Sequence, residues 1–309
     1  MKILIAGVGG VGGYFGGFLA KHYYKNKQVE ICFFARGEHL KKIQQHGLKI
    51  IHGNQEFIAF PSLVTDNATD IGIVDILIIC TKSFDLENTL DQLKPCINTN
   101  SIILPLLNGV DSRKRIQKLL PVNLILDGCV YIVSRLKQPG IIENSGNIQK
   151  LFFGLDQFTN AKLEQLENLF KQANIEATHS QNISSIIWEK YIFISATATA
   201  TSYYNNCIGE LLKDAEKINT IQRLIEEVKQ LAQARGISVT ADIVEKNLLR
   251  LKSLPFDSTS SMHSDFQNKK KQNELESLTG FVIRESQKLQ LLTPTYEMAH
   301  TSLKIKSGI

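Results

Sequence analysis

The chain lacks the marks of several protein classes. It has only five cysteines in 309 residues, Cys32, Cys80, Cys96, Cys129 and Cys207, and no C-x-x-C pair. That spacing excludes a disulfide scaffold and reads as a reduced, cytoplasmic chain with buried thiols. No His/Cys/Asp cluster has ligand spacing, so no metal is expected; His22, His39, His46 and His52 are scattered and read as surface residues. Long apolar runs are missing too. Residues 76–80 and 102–107 fall far short of the roughly 20 needed to cross a bilayer, so no membrane partner is expected. Residues 1–5 run directly into a strand–turn pattern with no small-residue cleavage signal, which argues against a secretory peptide. Nor is one sign of charge dominant: the net charge is +5, with 35 basic and 30 acidic residues. The single basic cluster, Lys269-Lys270-Lys271, reads as a solvated run. A nucleic-acid surface needs a broader basic stripe with aromatics, so no nucleic-acid partner is expected.

What is present is apolar material: 43% of the residues are hydrophobic. That fills a sizeable core, and the length exceeds one core of ordinary size, so two domains are expected. Short β-rich runs at 2–6, 29–35, 75–80 and 101–106 alternate with helical stretches at 14–24, 38–46 and 86–93. Continuous apolar strands of this kind are buried on both faces of a parallel sheet, and the alternation predicts a doubly wound α/β domain. Residues 48–51 and 57–60 read as a hairpin, and 124–133, 141–144 and 150–154 as further strands. A helix at 161–173 and a strand at 175–178 follow. Beyond them helical periodicity takes over, at 186–200, 218–235, 242–251, 275–290 and 295–304. The chain therefore reads as an α/β dinucleotide-binding domain over residues 1–180 and an all-helical domain over 181–309.

Gly7-Val8-Gly9-Gly10-Val11-Gly12 is a G-x-G-x-x-G between a strand and a helix. In that context the first glycine makes the turn, the second lets backbone approach a pyrophosphate, and the third lets helix pack on strand. The pyrophosphate then rests on free N–H groups at the helix start. The bland alternative is a structural glycine turn. NAD binders place an acid at the end of the second strand; here Arg36 stands there, and Glu30 is at the strand's opposite end. A guanidinium can hold a 2′-phosphate bidentately, which predicts NADP(H) rather than NAD(H), against the alternative of an ordinary surface arginine. Thr81-Lys82 and Asn108-Gly109 follow two more strands, where α/β sheets bind ligands; each also suits a helix cap or a solvated lysine. Lys190 is the only cationic side chain between Ile183 and Cys207. At a buried helix edge it suits proton donation; otherwise it is a snorkelling lysine. Ser260-Ser261-Met262, Asp265, Glu274 and Glu276 form the last polar cluster. Glu274 and Glu276 also read as solvent-facing helix residues.

The glycine loop, Arg36, Thr81-Lys82, Asn108-Gly109-Val110, Pro139-Gly140 with its following Ile-Ile-Glu-Asn-Ser-Gly, Trp188-x-Lys190, Ser260-Ser261-Met262 and Glu274-Leu-Glu-x-Leu-x-Gly280 occur in the order seen in ketopantoate reductases, and the chain resembles that family along nearly its whole length. The resemblance implies a Rossmann domain joined to a helical domain, with the active site in the cleft. It implies NADPH-dependent reduction of a 2-oxo acid, foremost 2-dehydropantoate to pantoate, as in pantothenate biosynthesis. Lys190 matches the proton donor, and Asn108 a residue touching nicotinamide and substrate. Ser261 matches a substrate-binding serine, Glu274 and Lys82 cofactor contacts, and Ser134 a backbone position near the cofactor. Three departures bear on the substrate. Where the family carries asparagines four and eight residues after the lysine, and another just before Gly-Glu, this chain has Ile194, Ala198 and Ile208. The stretch from Met262 to Glu274 is one residue longer than usual. An apolar pocket cannot select a substrate hydroxyl as an amide can, so a different 2-oxo acid or ketone is the alternative. A non-catalytic NADPH-binding regulator is another, since fold does not dictate function. The helix from residue 186 could bury itself or form a homodimer face.

Overall fold

The structure is a computed structural model that describes residues 1–307. The chain divides into two compact units, Met1–Ile183 and Ser184–Ile309.

The first unit runs β1 (Lys2–Ala6), α1 (Gly10–His22), β2 (Glu30–Phe34), α2 (Gly37–His46), β3 (Leu48–His52), β4 (Gln55–Ala59), β5 (Leu63–Thr65), β6 (Ile76–Ile79), α3 (Leu86–Leu93), β7 (Ile102–Pro105), α4 (Ser112–Leu119), β8 (Leu124–Ile125), β9 (Asp127–Gln138), β10 (Ile141–Gly154), α5 (Ala161–Gln172) and β11 (Glu176–His179). Six strands form a parallel sheet in the order β5-β2-β1-β6-β7-β8. The order reverses beside β1, the switch point at which such sheets bind dinucleotides. The apolar runs are continuous because successive side chains enter different cores. Ile3, Ile5, Ile31, Phe33, Ile76 and Ile78 belong to one cluster with α1 and α5. Leu4, Ala6, Cys32, Phe34, Leu77 and Ile79 belong to another with α3 and Ile116 of α4.

A second sheet, β11-β10-β3-β4 with β9 paired to β10, lies across α1. Glycines thin that helix on both sides. A methyl on Gly16 would fall 2.9 Å from the Phe33 ring, and one on Gly17 2.7 Å from Ile50 of the second sheet. Two strand expectations change here. Residues 124–133 divide at Leu126: β8 completes the parallel sheet while β9 begins in the second one. Gly128 permits the passage, since a Cβ there would meet the Pro105 carbonyl oxygen at 2.4 Å. Residues 141–144 and 150–154 are one strand, β10, with an irregularity in its pairing between Asn144 and Gln149. Helix α4 gives almost no apolar signal, burying only Ser112 and Ile116, and periodicity misses it.

The second unit is helical: α6 (Ile183–Tyr204), α7 (Ile208–Leu211), α8 (Ala215–Ala234), α9 (Ile243–Lys252), α10 (Ser261–Gln267), α11 (Phe281–Lys288) and α12 (Pro294–Ser307). The first turn of α12 hangs on buried Glu227 of α8, whose carboxylate accepts the backbone N–H of Thr295 (3.0 Å) and Tyr296 (3.1 Å). The helix expected over 275–290 is not uniform: residues Glu276–Gly280 form a wider π-type turn before α11. Hydroxyls of α6 meet its carbonyls. Tyr191 Oη donates to Ser277 O (2.9 Å) or Leu278 O (3.1 Å), and Ser195 Oγ donates to Leu278 O (2.7 Å). Thr199 and Thr279 hydroxyls pair at 2.8 Å. Such one-turn π segments recur at functional sites, and this one begins two residues after Glu274. Among the described residues no helix is long and apolar enough to cross a membrane.

Candidate functional site

In the first unit the glycine loop joins β1 to α1. Gly7 has a left-handed φ of 89°, and a side chain there would strike the Thr81 backbone nitrogen at 2.8 Å. A methyl on Gly10 would lie 2.4 Å from the Ser134 carbonyl oxygen, and one on Gly12 2.2 Å from the Gly7 carbonyl oxygen. Val8 is buried and Val11 packs partly on the core. Gly9, the N-cap of α1, is different: nothing lies within 4 Å of a Cβ built on it. Three glycines are thus required by backbone contact, and the fourth faces open space.

Two buried hydroxyls flank the loop without a hydrogen-bond partner, Thr81 Oγ1 and Ser134 Oγ. An orphaned buried hydroxyl is costly, and both belong to residues whose backbone packs on the loop glycines. The open side of Gly9 and the α1 N-terminus fit a dinucleotide pyrophosphate.

Arg36 is the N-cap of α2 at the end of β2. It is exposed, donates to Gln92 Oε1 at 2.8 Å, and sits 5.6 Å from the Phe34 ring centroid. Lys82 is exposed just beyond β6 and Asn108 half-buried just beyond β7, both at carboxyl ends of strands.

Two histidines depart from the surface expectation. His52 is half-buried, with Nδ1 3.1 Å from Tyr14 Oη and 3.3 Å from Asn144 Nδ2. His39 is half-buried on α2, with Nε2 2.8 Å from the Val8 carbonyl oxygen, while Gly140 N–H donates to Nδ1 at 2.9 Å. Local periodicity carries no sign of such partners, which are 31 and 101 residues away. His22 and His46 are exposed.

In the second unit Lys190 is half-buried in the second turn of α6. Ser260 caps α10, accepting from His263 N–H at 3.0 Å, and Ser261 is the first residue of that helix. Ser261 Oγ donates to Glu274 Oε2 at 3.3 Å. Glu274 is 3% exposed, so it is not the solvent-facing residue its sequence context suggests; Glu276 is, pairing at the surface with Arg284, His300 and Lys304. The supports on α6, Tyr191 and Ser195, are invisible to sequence reasoning, because a Tyr and a Ser in an apolar helix look like core filling.

Positions 194 and 198 share the Lys190 side of α6 by helical spacing. Ala198 is buried and Ile194 half-buried; Ile208, at the start of α7, is buried. The neighbouring amides are engaged by other side chains. Asn205 Oδ1 lies 2.9 Å from His263 Nε2, and Asn206 bridges Glu210 (3.0 Å) and Lys217 (2.9 Å). Among the described residues no group of three or more His, Cys, Asp and Glu side chains is gathered as a metal site.

Comparison with known proteins covers both units. The family model described as "Ketopantoate reductase PanE/ApbA" matches residues 3–156, and its C-terminal counterpart matches 182–307. A 2-dehydropantoate 2-reductase from Porphyromonas gingivalis W83, known from a crystal structure, is 34% identical; the match covers 98% of this chain and 99% of that one, with a TM-score of 0.86. An uncharacterized oxidoreductase, YkpB, from Bacillus subtilis is 29% identical over 99% of this chain and 98% of its own length. A 2-dehydropantoate 2-reductase from Streptococcus pyogenes is 25% identical over 100% of this chain and 99% of its own length.

Proposed function

The chain belongs to the ketopantoate reductase family of oxidoreductases, and from that premise we propose that it reduces a 2-oxo acid to the 2-hydroxy acid with NADPH, 2-dehydropantoate being the first substrate to test. The observation that carries the cofactor half is the glycine loop, closed by backbone at Gly7, Gly10 and Gly12 and open at Gly9, beside two orphaned hydroxyls. Arg36 at the end of β2 supports the 2′-phosphorylated cofactor, because a carboxylate that would hold a ribose hydroxyl is missing there.

The glycine-loop N–H groups and the α1 N-terminus hold the pyrophosphate, Lys82 and Ser134 flank it, and Glu274 contacts the cofactor. NADPH, when bound, supplies a hydride for the carbonyl carbon. Asn108 orients the substrate carbonyl by donating its side-chain N–H. Lys190 gives the proton to the oxygen on which charge develops. Ser261 binds the substrate carboxylate with its hydroxyl.

A second reading keeps the enzyme and changes the acid. Ile194, Ala198 and Ile208 present hydrocarbon where a hydroxylated substrate calls for amides, which favours a 2-oxo acid with an apolar branched or aromatic tail. A panel of such acids beside 2-dehydropantoate, followed by NADPH absorbance, decides between the two. Fastest turnover of 2-dehydropantoate supports the first reading, and preference for an apolar acid supports the second. NADPH binding without oxidation by any acid points to a non-catalytic regulator.

A further inference from the structure

Val8 stands between the first two glycines of the loop, and the carbonyl of its peptide bond to Gly9 is held from outside. His39 Nε2 lies 2.8 Å from Val8 O, and the Gly140 backbone N–H donates to Nδ1 at 2.9 Å. A backbone N–H can only donate, so Nδ1 carries the lone pair. The proton is therefore on Nε2 and points at Val8. Burial pushes the imidazole pKa below its usual value, against the pull of the Val8 carbonyl, and so favours the neutral ring.

The fixed carbonyl has a consequence for the amide beyond it. In a planar trans peptide the C=O and the next N–H point in opposite directions. With Val8 O turned toward α2, the Gly9 N–H is turned away from it. Gly9 is the residue whose Cβ position is open. The ring is itself anchored: Gly140 receives the Lys49 N–H on its carbonyl at 2.9 Å, which ties the turn between β9 and β10 to β3. A chain of contacts thus runs from the second sheet through Gly140 and His39 to the glycine loop.

We propose that His39 is a positioning residue for the pyrophosphate loop, fixing the Val8–Gly9 peptide so that the Gly9 N–H is aimed at the phosphate before the dinucleotide arrives. The inference rests on the reading of the loop as a dinucleotide site. A donor oriented in advance adds affinity because its ordering cost is met during folding.

The test is a binding titration of the full-length, ligand-free protein with NADPH and, separately, with adenosine 2′-monophosphate, which can reach Arg36 but has no pyrophosphate. Two variants separate the ring's two bonds. In His39→Asn the amide reaches the Nδ1 position and keeps Gly140, but is too short for Val8. In His39→Gln the amide N–H reaches the Nε2 position and keeps Val8. The expected result is a loss of NADPH affinity of roughly tenfold or more in His39→Asn, the scale of one hydrogen bond serving a charged group. Binding of adenosine 2′-monophosphate stays within about twofold, and His39→Gln stays within about threefold of the parent for NADPH, on the same scale. A merely structural histidine would weaken both ligands together. Equal losses for the two ligands, parental NADPH binding by His39→Asn, or a loss in His39→Gln as large as in His39→Asn overturns the proposal. If His39→Asn does not fold, His39→Gln still decides, since weakened NADPH binding there contradicts it. A parent that binds neither ligand overturns the dinucleotide reading itself, a result distinct from the others.

Discussion

Ser261 and Glu274, thirteen residues apart, meet where α10 begins and the π-type turn approaches: the Ser261 hydroxyl donates to the buried Glu274 carboxylate at 3.3 Å. A hydroxyl has one proton to give. A substrate carboxylate at Ser261 therefore competes with Glu274 for it. Ser261→Ala should raise KM for the 2-oxo acid about tenfold, the scale of one charge-assisted hydrogen bond, with a smaller effect on kcat. Because the two side chains touch, a double-mutant cycle with Glu274→Gln should be non-additive. Unchanged KM in Ser261→Ala contradicts the substrate role.

Lys190→Ala should lower kcat by about 10² to 10⁴, the range of a lost general acid, and leave NADPH affinity within about threefold. Steady-state kinetics with a direct NADPH titration separate the two effects. Turnover near the parental rate would sink the assignment of the proton donor.

Arg36→Ala should weaken NADPH by roughly tenfold to a hundredfold, as expected for a bidentate charged contact, and leave NADH nearly unchanged. Equal losses for both cofactors refute the 2′-phosphate argument.

Asp127, at the start of β9, has its carboxyl pushed from 3.8 to about 6, chiefly by burial and opposed by Arg113 at 3.8 Å, with Asp156 adding repulsion. The folded chain holds this proton more tightly than the unfolded one. The stabilisation is therefore present below about pH 4 and disappears as pH rises through about 6. Asp127→Asn should raise stability at pH 7.5 by roughly 2 kcal/mol and little at pH 4. Urea midpoints at the two values test it, and parallel pH curves for parent and variant argue against it.

Much of the fold was legible because burial on both faces writes itself into β1, β6 and β7 as unbroken apolar runs, and because helices such as α3 and α5 keep an apolar stripe. The glycine loop was legible because backbone contact admits no side chain at Gly7, Gly10 or Gly12. Helix α4 was not, since a surface helix that buries two residues leaves little pattern. The π-type turn was not, because its extra width is held by hydroxyls from α6, more than 80 residues away.

The sequence by itself determined the α/β-then-helical order, the glycine loop and the identity of the candidate residues, all of which depend on local spacing. Only tertiary structure decided which polar groups meet. It set the imidazole of His39 between Val8 and Gly140, buried Glu274 against Ser261, and spent Asn205 and Asn206 on neighbouring side chains. The reason is physical: periodicity records whether a position faces core or water, whereas a hydrogen-bond partner is fixed by where distant segments come to rest.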